Sequence, residues 1–248
     1  MARYQIILAY DGTCFAGFQR QVHKGQPVRT VQGELENALR RLGWQGKAIL
    51  ASGRTDSGVH ASGQVIAFDL DWNHSPKDLQ AALNANLPAD LSARAVSAAE
   101  PGFHPRYDAK SRRYRYRIYC QAARDPLRDR YSWQVWPELD LSELNAAAEA
   151  FIGLHDFAAF GVPPRKHGTT IRQVYQSEWV ADRGELIFEI TANAFLFRMV
   201  RRVVYAQVGV CRKQLTLAEI LDKLAGRSSE MVQGIAPACG LELVEVRY

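Results

Sequence analysis

The chain has 248 residues, 47% hydrophobic and 23% charged, a length that calls for two modest domains or one extended sheet. No run approaches the roughly 20 apolar residues of a membrane span, and the apolar start meets Asp11 too early for a secretory leader, so a cytoplasmic protein with no membrane partner is expected. Cys14, Cys120, Cys211 and Cys239 are scattered with no Cys-x-x-Cys pair, which argues against a zinc knuckle or a disulfide framework, while the net charge of +5 leans toward a polyanionic partner.

In chain order, Tyr4, Ile6, Leu8 and Tyr10 alternate as in a buried strand, and Asp11-Gly12 ends it. Val31, Leu35, Ala38, Leu39 and Leu42 recur at helical spacing with Arg40 and Arg41 facing away. Strands are predicted over Lys47–Ser52 and Gln64–Leu70. Ser75-Pro76-Lys77-Asp78 supplies an N-cap, a proline at N1 and an acid at N3 for a second helix, which Leu87-Pro88 stops before a strand over Ser92–Ala98. This βαββαβ order is that of the ferredoxin-like split unit, and Glu100-Pro101-Gly102 marks a boundary. The order then recurs. A strand is predicted over Arg112–Cys120, a helix over Leu141–Ile152 with Asp140 and Glu143 as capping box, and strands over Ile171–Ala181 and Glu185–Thr191. A helix over Asn193–Gly209, an extra one started by Thr216 and Glu219, and a terminal strand over Leu241–Tyr248 follow. The expected fold class is α+β, two antiparallel ferredoxin-like or RRM-like halves spanning 1–103 and 104–248.

Chemistry-bearing residues gather in three places. Arg106, Lys110, Arg112, Arg113, Arg115 and Arg117 face one acid, Asp108. On a strand, Arg113, Arg115 and Arg117 share one face and Tyr114, Tyr116 and Ile118 the other. Such a stripe is either a solvated edge paired with scattered acids or an RNA backbone groove. A second stripe, Arg198, Arg201 and Arg202, falls at i, i+3 and i+4 opposite Leu196, Met199, Val200 and Val203. The third place is Gly53-Arg54-Thr55-Asp56-Ser57-Gly58-Val59-His60, a loop between strands. Its glycines permit a sharp turn, and Arg54 is near enough in sequence to keep a desolvated Asp56 ionised for nucleophilic work. An Asx-type turn with Arg54 as its surface ion pair accounts for the same residues. The Asp56-Ser57-Gly58 run also imitates an aspartic protease signature, but that chemistry needs two such carboxylates and one copy is present. His60 lacks a Ser or Cys nucleophile elbow and reads as a loop-packing residue.

The Asp56 segment resembles the Gly-Arg-Thr-Asp-x-Gly-Val-His signature of the A-type tRNA pseudouridine synthases. The resemblance extends in order through Tyr10-Asp11-Gly12-Thr13, Gly17-Phe18-Gln19, Val31-Gln32, Asn84-Ala85-Asn86-Leu87-Pro88, Arg112-Arg113-Tyr114-Arg115-Tyr116 and Ala194-Phe195-Leu196-Phe197-Arg198-Met199-Val200-Arg201. It implies two halves joined across a central active-site cleft and an isomerase acting on uridines 38, 39 and 40 of the tRNA anticodon stem-loop. It further implies Asp56 as the catalytic carboxylate and Arg54 as the residue that helps open the stem-loop. Tyr114 would stack on the uracil and serve as a candidate for the late proton transfer, and Arg201 would pair with Asp56. Arg113, Arg115, Arg198 and Arg202 are expected to bind substrate with Tyr114. A homodimer and no metal or cofactor are implied as well. Phe18, Phe197-Arg198 and Tyr205 depart from the family pattern, which bears on RNA docking and on the packing of the late helix. The alternative expectation is a non-catalytic tandem RRM-like RNA binder, for which only Arg112–Tyr119 imitates a base-stacking run.

Overall fold

A computed structural model describes residues 1–23, 25–165, 168–228 and 230–248. The fold is α+β, with two compact units: Met1–Lys110 together with Glu242–Tyr248, and Ser111–Leu241.

The first unit begins with β1 (Ala2–Tyr10), whose Tyr4, Ile6, Leu8 and Tyr10 are buried as the alternation requires. A small hairpin, β2 (Val22–His23) and β3 (Gln26–Pro27), precedes α1 (Val31–Arg41), where Oγ1 of Thr30 caps the helix by accepting from the Gly33 N–H. Next come β4 (Leu50–Ala51), β5 (His60–Leu70), α2 (Pro76–Asn86) and β6 (Leu91–Ala98). The expected capping box of Ser75 and Asp78 is formed in both directions. Strands run in the order β6-β1-β5-β4, all antiparallel, with Ile6 opposite both Ile66 and Val96. Central β5 is covered on both faces, and Ile66, Phe68, Leu35, Leu39, Leu79 and Leu83 form the core. Each such side chain contributes about 1.5–3 kcal/mol by leaving water.

The second unit contains β7 (Ser111–Cys120), β8 (Trp133–Val135), α3 (Leu141–Glu149), β9 (Gly153–Asp156), β10 (Ile171–Asp182), β11 (Glu185–Ala192), α4 (Met199–Cys211) and α5 (Leu217–Leu224). Its strand order is β8-β7-β11-β10-β9, antiparallel except for the β7-β8 pair. Trp179 joins the sheet to both helices: its backbone N–H donates to Oδ1 of Asn145 on α3 at 2.8 Å, and its indole N–H to Oε1 of Gln207 on α4 at 2.6 Å.

Several expectations are corrected. The last strand, β12 (Leu241–Arg247), pairs in parallel with β5, Glu242 opposite His60 and Leu243 opposite Ala61, and so belongs with the first unit rather than closing the second. Residues 104–110 also fall in the first unit instead of opening the second, because the Lys110 N–H donates to Arg247 O at 2.8 Å and the Tyr248 hydroxyl to Pro105 O at 2.9 Å. The strand expected over Lys47–Ser52 shrinks to Leu50–Ala51, since the Ile49 N–H is taken by the Glu36 side chain instead of a neighbouring strand. Glu143 does not close a capping box at α3: Asp140 caps the helix, but the Glu143 carboxylate turns to Lys213 at 2.6 Å. The helix expected from Asn193 starts at Met199, because Phe197 bridges to Val162 in both directions and Arg198 adopts a left-handed φ of 64°. Among the described residues no helix is long and apolar enough to cross a membrane.

Candidate active site

The Asp56 loop leaves β4 at Ala51 and enters β5 at His60. Two glycines outside the loop let other backbone lie against it. The chain after β1 passes beneath: a side chain on Gly12 would stand 2.1 Å from Val59 O, and one on Gly17, which has φ +90°, 3.0 Å from Thr55 O. Thr55, the residue before Asp56, is gripped twice. Its carbonyl accepts from the Phe18 N–H at 3.1 Å, and its hydroxyl meets the Tyr10 hydroxyl at 2.9 Å. Ser57 Oγ donates to Phe15 O at 3.1 Å, and Gly53 O accepts from Nε2 of Gln64 at 3.1 Å. The Val59 N–H donates to Asp56 O at 3.2 Å, so the turn is closed by backbone. Asp56 is half-buried on this platform and Arg54 is exposed, with no hydrogen bond or ion pair holding it among the described residues.

Burial pushes the Tyr10 phenol up to about 12, so it stays protonated at neutral pH and bonds to Thr55 as an uncharged group. His60 is buried where the loop enters β5, its Nδ1 lying 3.0 Å from the Gly12 N–H that donates to it and 3.3 Å from Oδ1 of Asp11.

The remaining expected residues lie in the second unit. Tyr114 on β7 is half-buried and meets Phe195 edge to face with ring centroids 5.0 Å apart. Arg201 is half-buried in the first turn of α4, where its Nε donates to Ala236 O at 2.7 Å. Arg202 is half-buried beside it. Arg198 is exposed, stands outside the helix, and covers the Phe197 ring at 4.8 Å, so the anticipated helical stripe is not a stripe. The stripe on β7 is real as a face but carries an acid: Glu189 on β11 lies 2.5 Å from Arg115 and 3.1 Å from Arg113. Burial raises the Glu189 carboxyl, and the two guanidiniums more than offset this and hold it below its ordinary value. Arg113 and Arg115 are therefore ion-paired, not bare cations awaiting phosphate, and they stand on the sheet face opposite to Tyr114. Tyr205 occupies the space that a side chain at position 234 would need. Among the described residues no three His, Cys, Asp or Glu side chains are grouped to hold a metal ion.

Sequence reasoning missed three supports of the site. The sequence presents Tyr10 as a core residue and a member of a family motif, Gln64 only as a strand start, and Glu189 not at all. Period-two alternation does point Tyr10 inward, but nothing local says that its hydroxyl meets a residue 45 positions later.

A sequence model of the family described as tRNA pseudouridine synthase matches residues 6–108 and 147–248. The tRNA pseudouridine synthase A of Chloroflexus aurantiacus is 40% identical over 253 residues, covering 100% of this chain and 89% of its own. That of Geobacillus kaustophilus is 40% identical, covering 99% and 94%, and that of Pseudothermotoga lettingae 38% identical, covering 100% of both. Among solved structures, the archaeal box H/ACA Nop10-Cbf5 complex aligns 98% of this chain with 46% of its own at a TM-score of 0.34 and 12% identity, too slight a likeness to bear on the fold. With motif, platform and full-length similarity in agreement, the chain belongs to the tRNA pseudouridine synthase A family and is an isomerase that converts uridine in tRNA to pseudouridine.

Proposed function

We propose that the chain isomerises uridines 38, 39 and 40 of the anticodon stem-loop, with Asp56 as the catalytic carboxylate. The observation that carries this is the platform under Asp56: Gly12, Gly17, Phe18 and Tyr10 hold the backbone of Thr55 to Val59 while Asp56 itself remains half-buried and Arg54 exposed. A turn built only to close a loop does not need its preceding residue gripped from both sides. Catalysis by a carboxylate does, because a displacement of about 1 Å costs on the order of 100-fold in rate.

In the reaction the N1 to C1′ bond breaks, the uracil turns, and C5 bonds to C1′. Asp56 serves by attack on C1′, by addition to C6, or by taking the 2′ hydrogen on a glycal route. The base must leave its stack at a cost of a few kcal/mol, which cationic contacts to the RNA backbone offset. Exposed Arg54 enters the opened stem-loop, Tyr114 stacks on the uracil, and Arg201 is the partner of the Asp56 carboxylate. Arg198, exposed at the head of α4, is the leading phosphate contact, and Arg202 supports it. Arg113 and Arg115 share Glu189 and contribute less. The first unit follows a ferredoxin-like plan, and the enzyme works as a cytoplasmic homodimer without metal or organic cofactor.

Asp56→Asn tests the reading. With tRNA tritiated at uridine C5, the parent releases label to water, the variant releases none above background, and salt-sensitive tRNA binding survives. Label release by the variant would sink the assignment of Asp56.

A further inference from the structure

Glu36 on α1 is fully buried, an unusual place for a carboxylate, and its contacts lead to the two chain segments that flank the Asp56 loop. Oε1 accepts from Nε2 of Gln32 at 2.8 Å and from the Ile49 N–H at 3.2 Å. Oε2 lies 2.9 Å from Nη1 of Arg20 and 3.6 Å from Nη2 of Arg40, both reaching in from the surface; the Arg20 contact lacks hydrogen-bond alignment and is Coulombic. Burial of an unpaired carboxylate is costly, so these four groups are what allow it to stand there.

The contacts continue outward. Gln32, buried beside Glu36, accepts the Arg20 backbone N–H on its Oε1 at 3.1 Å, and its own backbone N–H donates to Phe18 O at 2.9 Å. Residues 17–20 are thereby strapped to the first turn of α1. The Phe18 N–H on this strap is the donor that holds Thr55 O, and Gly17 lies directly against the same carbonyl. On the other flank, Ile49 leads through β4 and Ser52 into Gly53, and the Arg20 guanidinium donates to Lys47 O at 3.1 Å. One carboxylate thus fastens both the strap beneath the loop and the segment that enters it.

We propose that Glu36 is a positioning residue for the isomerisation, acting through Gln32, Arg20 and Phe18 on the backbone of Thr55 and so on the placement of Asp56. It touches neither substrate nor Asp56. The proposal rests on the catalytic reading of Asp56 given above. Its physical content is that a charge, not merely a side chain of that size, is needed at position 36, because a neutral amide there leaves the Arg20 guanidinium without a counter-charge and turns an N–H toward it.

The test uses the full chain and Glu36→Gln, which keeps the shape and removes the charge. Hydrogen exchange of residues 15–20 and 47–59 is expected to rise while β1 and β5 stay protected. The single-turnover rate of tritium release, with enzyme in excess over tRNA, is expected to fall by about 10-fold to 100-fold with tRNA affinity within about twofold of the parent. Excess enzyme makes that rate constant independent of the folded fraction. Unchanged exchange in the strap, a rate within about twofold of the parent, or a rate loss matched by an equal affinity loss overturns the proposal. Where exchange in β1 and β5 shows that Glu36→Gln has unfolded the unit, Glu36→Asp, which keeps the charge but withdraws it by one methylene, is held to the same thresholds. Retained turnover by Asp56→Asn would remove the catalytic reading, and the exchange result would then decide the strap by itself.

Discussion

The Asp56 loop and the arginine-rich strand β7 are the two regions whose residue patterns speak loudest, and the structure treats them in opposite ways. Around Asp56 the adjoining Thr55 and Ser57 carry no charge, yet the loop is held by backbone and hydroxyl contacts from Tyr10, Phe15 and Phe18. Along β7 the charge is abundant, but Glu189 takes up both Arg113 and Arg115. The lesson is that Gly12 and Gly17, which precede the loop in sequence, report the close backbone approach beneath it, and this survives into the fold. A run of like charges does not report availability, because the acid that Arg113 and Arg115 share comes from a strand far along the chain.

The largest way to break the contrast is at Gly12. A methyl group there meets the Val59 carbonyl, so Gly12→Ala is expected to cost about 3 kcal/mol, the upper end for overpacking, and to reduce tritium release at least about 10-fold. A urea melt and a single-turnover assay read the two effects. Gly53→Ala is its control: nothing lies within 4 Å of a side chain at 53, and stability is expected within about 0.5 kcal/mol of the parent. Equal destabilisation at the two positions would dissolve the claim that approach, and not mere smallness, sets the motif.

Glu189→Gln comes next. It leaves two neighbouring guanidiniums sharing a neutral partner, and a loss of about 1–3 kcal/mol is expected, since the groups are partly exposed. If Arg113 and Arg115 were chiefly phosphate ligands, the variant would instead bind tRNA more tightly with little change in its thermal midpoint. Tyr10→Phe removes one hydroxyl contact to Thr55 and is expected to cost about 1 kcal/mol, with a fall in rate of only a few-fold.

The smallest effect is acid dependence at Asp90, whose carboxylate takes both terminal nitrogens of Arg29 at 2.7 Å and whose carbonyl accepts the Asp11 N–H. The Arg29 hydrogen bonds hold the Asp90 carboxyl below its ordinary value. The folded state therefore binds fewer protons than the unfolded one, so the contribution is full above the unfolded value of about 3.9 and disappears as pH falls through the folded one. Arg29→Met is expected to lower stability by about 0.5–1 kcal/mol from pH 5 to 8, with the difference from the parent shrinking as pH falls below the unfolded carboxyl value. A difference that stays constant below it would assign the effect to the Arg29 contact with the Phe15 ring, at 4.3 Å, instead.

The sequence by itself determined the elements whose causes are local. Alternation in β1, the caps of α2 and α5, and the loop position of Asp56 all follow from residues within a few positions of one another. The reaction class was also legible, through motifs that recur in order along the chain. Tertiary structure alone decided what depends on distant partners. The terminal strand pairs with β5, whose partner residues lie 182 positions earlier in sequence and outside the reach of any local pattern. Arg198 caps the helix from a left-handed turn because Val162 holds Phe197 in a bridge, Arg113 and Arg115 share the one carboxylate of Glu189, and Asp56 acquired its platform from Tyr10 and Phe18. In each case the deciding contact is a hydrogen bond or ion pair between residues with no sequence relation, and such contacts exist only once the chain has closed around them.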